Sequence, residues 1–453
     1  MNNAPKKHIL IISQYFHPES FRINDIATEW VKRGYQVTVL TGIPNYPQGR
    51  FYEGYGIRKK RRENWKGIRI IRIPLIPRGK SSIGLIANYF SFMLSGVLWV
   101  MTHRINVDMI FSFETSPMTQ VMIGCRARNR YKVPHFLYVQ DLWPENVEIV
   151  AGIHSSLIIN PINKMVDHIY RNTDHIFATS PSFVEAIANR KVRVPKRKIH
   201  YWPQYAEDFY RPLDREQVRR EAKRNSPVSL VPDDDSFKII FTGNIGVAQG
   251  LDVLPRTAAL IKGNKQQQHR QTRFIIVGDG RYRNQFKKDI KENDVEEMFT
   301  MIPRQEPKEI PELLACCDAA FVSFMDNELF RRTIPAKLQS YMASGMPILA
   351  SAGGETERIV SEAECGICCV AGDENELGDA IIRLESLDVE DLKIKGTRAA
   401  AYAEKHFNRS LLMTEMDRII TGVIGERATH LKTNVNSKII DRQEYLCYTE
   451  NEA

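Results

Sequence analysis

The chain has little cysteine, and none of it is spaced for a metal. Its seven Cys include the adjacent pair Cys316–Cys317 and the group Cys365, Cys368 and Cys369, mostly within apolar, strand-like runs. No second pair stands at zinc-finger spacing, so the better reading is reduced core thiols, with no zinc. The dinucleotide fingerprint Gly-x-Gly-x-x-Gly is missing after the first strand, which sets NAD aside. The N-terminal MNNAPKKHIL runs directly into a strand and lacks a signal-peptide pattern. With 43% hydrophobic and 26% charged residues, the composition is that of a folded, soluble protein. The length prior is about three domains, but two large α/β domains fit equally well.

Charge is unevenly distributed. Through Gln204 there are 29 Lys and Arg against 13 Asp and Glu, whereas the remainder has 34 against 41. The first half is therefore strongly basic and the second acidic, although the whole carries only +9. Such asymmetry suggests that the first half alone faces something anionic.

His8–Ser13, a helix at Arg22–Arg33 ended by Gly34, and Gln36–Thr41 make a β-α-β start. Its first loop, Gln14–Phe21, lies at a strand's carboxyl end, where α/β folds bind ligands. Arg22 and Asn24 at the helix start meet an anionic or sugar ligand, or else are the helix entry and its cap. Gly42–Gly56 (GIPNYPQGRFYEGYG), with Tyr46 and Arg50, is too rich in Gly, Pro and Tyr for a helix or central strand, and such long loops are usually functional. The basic run Arg58–Arg62 and a strand at Ile68–Ile73 follow. Ile83–Met101 then has 19 residues without a charge. It reads as a core helix, a helix dipped into a membrane interface, or a span. The strand His135–Val139 runs into QDLWPE, placing Asp141 and Glu145 at a carboxyl end. There they serve as sugar-hydroxyl acceptors or a base, or as a helix cap and first-turn acid.

A polar linker at residues 206–236 separates residues 1–205 from a second α/β series. That series turns at Gly243-Asn244-Ile245-Gly246 and at Gly278-Asp279-Gly280. Strands at Cys317–Phe324 and Met346–Ser351 enclose a helix at Ala336–Ser344, ended by Gly345, with Thr333 a possible N-cap and Pro335 in its first turn. The free N–H groups of Ala336 and Lys337, with Arg331 and Arg332 nearby, form an anion site worth roughly 0.3–1 kcal/mol per charge. The alternative is an ordinary connection with solvated arginines. Ala400–Val423 reads as the last packed helix, and the residues beyond as a polar tail.

Taken together, TGNIGVAQGLD, IIVGDG, ACCDAAFVSF, MASGMPI and SAGGETE resemble the C-terminal half of a family 4 glycosyltransferase. The first half, with ISQYFHPESFRINDIA, TGIPNYPQGRFYEGYG and QDLWPE, is similar to the branch of bacterial N-acetyl-L-fucosamine transferases of O-antigen and capsule assembly and, more distantly, to colanic-acid transferases. The resemblance covers about residues 8–424. It implies the α/β GT-B fold: Rossmann-like domains at residues 1–205 and 237–402 facing across a cleft, and a return helix at 403–424 before a tail at 425–453. It also implies a nucleotide-sugar donor on the second domain, an acceptor on the first, no metal or other cofactor, and often retention of configuration. The family's usual glutamates, seven residues apart, fall on Arg332 and Ser340. Its usual basic residues fall on Asn244 and Gln249.

Lys337 is therefore the first choice for the diphosphate, with Arg331 or Arg332 second. Gly243, Asn244, Gly246 and Ala336 complete the donor site, and Glu328 is an out-of-register replacement acid. Gly278, Asp279, Gly280 and Ser340 are assigned to the nucleoside, and Arg22, Asn24, Tyr46 and Arg50 to the acceptor. The expected partners are a UDP-sugar, a saccharide on a polyprenyl diphosphate and an anionic membrane surface, not nucleic acid. The expected location is the cytoplasmic face of the inner membrane. The alternatives are a nucleotide-sugar epimerase or hydrolase, or a non-catalytic transferase partner.

Overall fold

The computed structural model describes residues 7–79, 81–150, 152–224, 226–263 and 271–425. The N-terminal six residues and the tail beyond residue 425 lie outside the described residues. The first sheet comprises β1 (His8–Ile12), β2 (Gln36–Gly42), β3 (Arg62–Trp65), β4 (Ile68–Ile73), β5 (Met109–Glu114), β6 (His135–Val139), β7 (His175–Ala178) and β8 (Ile199–Tyr201), in spatial order β3-β4-β2-β1-β5-β6-β7-β8. All neighbours are parallel except β3 and β4. Its helices are α1 (Arg22–Lys32), α2 (Ser82–Thr102), α3 (Val121–Tyr131), α4 (Glu145–Val150), α5 (Ser156–Arg171) and α6 (Pro181–Ala188). Strand side chains alternate between two cores. Ile9 and Ile11 meet α1 on one face, while Leu10 and Ile12 meet α2 and α3 on the other. This two-sided burial explains why the strands read as unbroken apolar runs.

The second sheet comprises β9 (Phe237–Asn244), β10 (Thr272–Asp279), β11 (Phe299–Ile302), β12 (Ala319–Ser323), β13 (Ile348–Ser351) and β14 (Gly366–Cys369), in the order β11-β10-β9-β12-β13-β14. Around it lie α7 (Arg215–Glu221), α8 (Val253–Gly263), α9 (Arg283–Glu292), α10 (Ile310–Ala315), α11 (Glu328–Arg331), α12 (Ala336–Ala343), α13 (Glu355–Glu362), α14 (Glu374–Glu385) and α15 (Val389–His406). The segment read as a linker packs on this half: Val228 and Val231 are buried in its core, and Arg215 bonds Asp318 at 2.9 Å. The described cysteines are free thiols, five of them buried.

Three local readings change. The charge run Arg58–Arg62 ends in the edge hairpin β3–β4, whose turn residues Lys66 and Gly67 both have positive φ, as a two-residue hairpin loop requires. The helix at Ala336 is capped by the extended backbone of Pro335; Thr333 instead turns its hydroxyl to Leu329 O at 2.8 Å. The return is two helices: α15 stops at Phe407, and residues 409–425 form another. Phe407 is buried in the second domain's core, whereas Leu412, Met413, Met416 and Ile420 join the first domain's. Asn408 Oδ1 accepts the Leu411 N–H and restarts the helix where the chain changes domains. Arg409 then pairs with Asp25 and Glu29, at 2.8 and 2.9 Å.

The domains also touch beside the cleft. Leu329 of α11 is buried in a first-domain core cluster. Ser180 Oγ donates to Arg332 O at 2.6 Å, and Glu355 Oε1 accepts from Ser182 N and Oγ at 2.8 and 2.6 Å. Glu355 is almost wholly buried, so Glu355→Ala orphans the start of α6 and the Arg358 pair. The expected loss is roughly 1–3 kcal/mol in a denaturant melt; an unchanged midpoint would show that the contact adds nothing.

Candidate active site

Each sheet has one point where strand order reverses, and connections leave these points in opposite directions, opening a crevice at the carboxyl ends. In the second domain this point lies between β9 and β12, which stay paired only through Ile240 and Ala320 and then separate. Lys337 of α12 enters the gap. Its Nζ lies 3.7 Å from the centroid of the Phe241 ring, shut off from solvent and without a hydrogen-bond partner. With no anion beside it, burial lowers its pKa to about 7. Ala336, the first residue of the helix, is exposed.

The glycine turns interlock beside this gap. A Cβ on Gly278 would lie 1.9 Å from Gly243 O, and one on Gly280 would lie 2.1 Å from Ile245 O, so these positions admit only glycine. Not all their amides are free for a ligand, however. Gly246 N–H is taken by Gln249 Oε1 at 3.1 Å, and Ile245 N–H by Asp279 O at 2.9 Å. Asn244 is exposed, 3.4 Å from Gln249 Oε1, and Asp279 Oδ1 accepts from Gly280 N.

In the first domain the reversal lies between β1 and β5. Asp141, one strand further on, is half-buried, and its Oδ2 accepts the Ser116 N–H at 2.7 Å. Burial raises its pKa, against the lowering effect of Ser116. Glu145 opens α4 with Oε2 buried and unpartnered. The stretch 324–335 of the second domain lies close by, since α11 packs against α4. Asp141, Glu145 and the start of α12 thus border the crevices on the two sides of the cleft.

Residues 20–204 match the family described as glycosyl transferase 4-like domain, and residues 222–406 match glycosyl transferases group 1. The chain is a glycosyltransferase of the GT-B fold. It is 23% identical over 432 residues to the putative colanic acid biosynthesis glycosyl transferase WcaI of Escherichia coli (strain K12), covering 91% of this chain and 100% of that one. Among solved structures it is similar to sucrose-phosphate synthase from Thermosynechococcus elongatus (TM-score 0.72, 16% identity, 93% of this chain and 100% of that one). Anabaena HepE in complex with UDP and glucose superposes with TM-score 0.65 (16% identity, 92% and 100%). WaaG, a glycosyltransferase involved in lipopolysaccharide biosynthesis, superposes with TM-score 0.63 (15% identity, 92% and 100%).

The remaining candidates of this glycosyltransferase divide into ligand-facing and structural positions. Arg331 is clamped by Asp326 at 2.7 and 2.9 Å, and Arg332 by Glu328 at 2.7 Å, so neither is a free cation and Glu328 is not a free acid. Ser340 is buried and bonds back to Ala336 O. Arg22 is held by Glu207 at 2.7 Å and lies over Tyr205. Asn24 does not cap α1, whose N-cap is Phe21; it donates to Glu19 O. Tyr46 remains partly open at 37% exposure, in a cluster with Tyr15 and Phe21 and under the Arg78 guanidinium, and Arg50 is exposed.

The sequence reading missed Glu19, Arg78 and Glu114. Glu19 is buried, accepts Asn45 N and Tyr46 N at 2.8 and 2.7 Å, and thereby fixes the start of the long loop; burial raises it to about 7. The proline just before Glu19 in HPES was the one available signal. Among the described residues no group of three or more His, Cys, Asp or Glu is placed to hold a metal.

Proposed function

We propose that this enzyme moves a sugar from a UDP-sugar to a saccharide carried on a polyprenyl diphosphate, in the assembly of a bacterial surface polysaccharide such as O-antigen or capsule. N-acetyl-L-fucosamine or a related amino-deoxy sugar is the group moved, with retention, at the cytoplasmic face of a membrane. The observation that carries the reading is the buried, unpaired Lys337 amino group at the second domain's reversal point, with Asp141 at the first domain's side of the cleft. Breaking a sugar–phosphate bond leaves a diphosphate whose growing charge needs preorganised donors and cations, and Lys337 with the exposed start of α12 meets that need. Asp141 is suited to orient an acceptor hydroxyl and take up its proton. The HepE complexes with UDP, the colanic-acid relative and WaaG support the choice of donor and pathway class. A mass-spectrometric screen of nucleotide-sugars against lipid-diphosphate saccharides tests it, with donor turnover followed with and without acceptor. Equal donor turnover without acceptor would replace transfer by hydrolysis, and no turnover at all would favour a non-catalytic subunit.

Donor binding carries its own signature. A diphosphate beside Lys337 restores the proton that burial removes, so above pH 7 binding should take up a proton and weaken as pH rises. Lys337→Met should abolish that uptake and cost about 1.5–3 kcal/mol of UDP affinity, the scale of a charge-assisted hydrogen bond. Calorimetry in buffers of different ionisation enthalpy reads both. Without ligand, the folded protein binds fewer protons here than the unfolded chain from about pH 7 to 10.5, so the Lys337 contribution to stability rises with pH through that window.

A further inference from the structure

Glu114 ends β5, next to β6, whose following loop carries Asp141, and its side chain is fully buried. Its Oε2 accepts two backbone N–H groups, those of Gln140 and Asp141, both at 3.3 Å. Its Oε1 is buried without a partner, as are Glu145 Oε2 and the Tyr170 hydroxyl. Val139, Leu142, Trp143, Val147 and Tyr170 form the adjoining apolar core. Two long N–H contacts do not replace the hydration of a carboxylate. Asp141 has what Glu114 lacks: partial access to solvent and a 2.7 Å bond from Ser116 N.

We propose that Glu114 and Asp141 form a carboxyl pair holding one proton at neutral pH, with Glu114 protonated, Asp141 ionised, and Glu114 acting as the positioning residue for Asp141. This rests on the reading of Asp141 as the group that meets the acceptor hydroxyl. Glu114 Oε2 is bonded to the backbone N–H of Asp141, which holds the two carboxyl groups on neighbouring strand ends; two such carboxylates do not readily ionise together, and the more buried one retains the proton. Glu114 is displaced well upward by burial first and by the Asp141 charge second, in keeping with that order. The other ionisable groups around the pair are Tyr89 of α2, which feels the Asp141 charge, Glu145 at the start of α4, Tyr170 on α5, and Arg190, whose guanidinium is paired with Asp167 and lies over the Tyr170 ring. The proton on Glu114 keeps a second negative charge away from Asp141, while its Oε2 holds the Gln140–Asp141 backbone at the strand end. The acceptor proton consequently goes to Asp141 and is not taken up by the pair beforehand.

Infrared difference spectroscopy on the full chain at pH 7 tests the proton's position. The carbonyl stretch of a protonated carboxyl should be present in the wild type, lost in Glu114→Gln and kept in Asp141→Asn. A band lost in Asp141→Asn but kept in Glu114→Gln, or a wild-type-minus-Glu114→Gln difference without the band, would overturn the proposal. If Glu114→Gln does not fold, carbon-13 NMR of the full chain labelled at the Glu carboxyl carbons gives the same answer. With Glu19, the other Glu raised to about 7, replaced by Gln, a neutral-acid signal that titrates above pH 7 is expected, and its absence overturns the assignment. For the positioning role, Glu114→Gln keeps an acceptor for the Asp141 N–H and Glu114→Ala does not, while the Gln140 N–H keeps the Glu114 carbonyl at 2.8 Å in both. The Gln variant should therefore retain at least tenfold more kcat than the Ala variant and lose the alkaline fall of the wild-type kcat, read at saturating UDP-sugar so that the weaker donor binding at Lys337 does not enter. Equal kcat in the two, or a persisting alkaline fall, overturns that role. Turnover of Asp141→Asn is a separate readout: near-normal transfer would remove Asp141 as the base and leave the infrared result standing.

Discussion

Asp141→Asn is expected to slow glycosyl transfer by about 10²–10⁴-fold while leaving UDP affinity unchanged, the range that a positioned acid–base group contributes. The substitution is conservative for the fold, because an Asn Oδ1 still accepts the Ser116 N–H at the same place. What it removes is the negative charge and the proton acceptor. The effect should appear in kcat, since a group that takes up a proton acts mainly in the transition state. Because burial raises Asp141, the carboxylate is lost earlier on acidification than an exposed Asp would be, and wild-type activity should fall as pH drops through that raised value. Asp141→Asn should lack this acid limb. Glu145→Gln is the companion: Glu145 opens α4 on the same strand-end loop, but only its Oε2 is buried and unpartnered, so a smaller loss is expected. Near-normal turnover of both variants at limiting acceptor would return the two residues to the roles of strand-end brace and first-turn acid.

Much of this architecture can be read in the chain because buried parallel strands announce themselves. HILII, HFLYV and FKIIF are apolar without alternation, and the glycine turns that follow β9 and β10 mark carboxyl ends. The site is less legible. Nothing in the spacing of Arg331 and Arg332 reveals that Asp326 and Glu328 neutralise them, because those pairs depend on how α11 folds back. Lys337 was visible as a cation near a helix start, but its position over Phe241 follows from β9 and β12 separating, a tertiary event. Glu114 gave no signal, since a single Glu at the end of MIFSFE looks like a strand terminus facing water. A last packed helix was readable from apolar periodicity and its return to the first domain from the family resemblance, but the break at Phe407–Asn408 was not. It arises because the flanking apolar residues belong to different cores.

The largest effect is expected at the membrane. Among the described residues α2 is the one helix long and apolar enough to cross a bilayer. Its buried positions Asn88, Phe92, Gly96 and Val100 recur every four residues, and a Cβ on Gly96 would meet Ile123 of α3 at 2.2 Å. A span would have to strip that face from α3, so the helix belongs to the domain. The other face has no cover: Ile83, Ile86, Phe90, Leu94, Leu98 and Met101 form an apolar stripe, Ile83 at 81% exposure and Leu94 at 62%. Of the basic run, Arg58, Lys59, Lys60 and Arg62 are exposed, whereas Arg61 is bonded to the carbonyls of Ile57 and Arg72. Four such cations near an anionic surface contribute about 1 kcal/mol each, and three half-exposed apolar side chains add roughly 1 kcal/mol each when lipid covers them. Replacing Phe90, Leu94 and Leu98 by Ser and the four cations by Gln should therefore lower partitioning onto anionic vesicles by up to about 10⁵-fold, at 1.4 kcal/mol per decade. The two parts separate in salt: the cationic part weakens as the Debye length shortens, and the apolar part does not. UDP affinity should be the same in all variants, because the stripe lies on the first domain. Vesicle sedimentation that is equal for wild type and the combined variant, at low salt, would leave the stripe without a lipid partner.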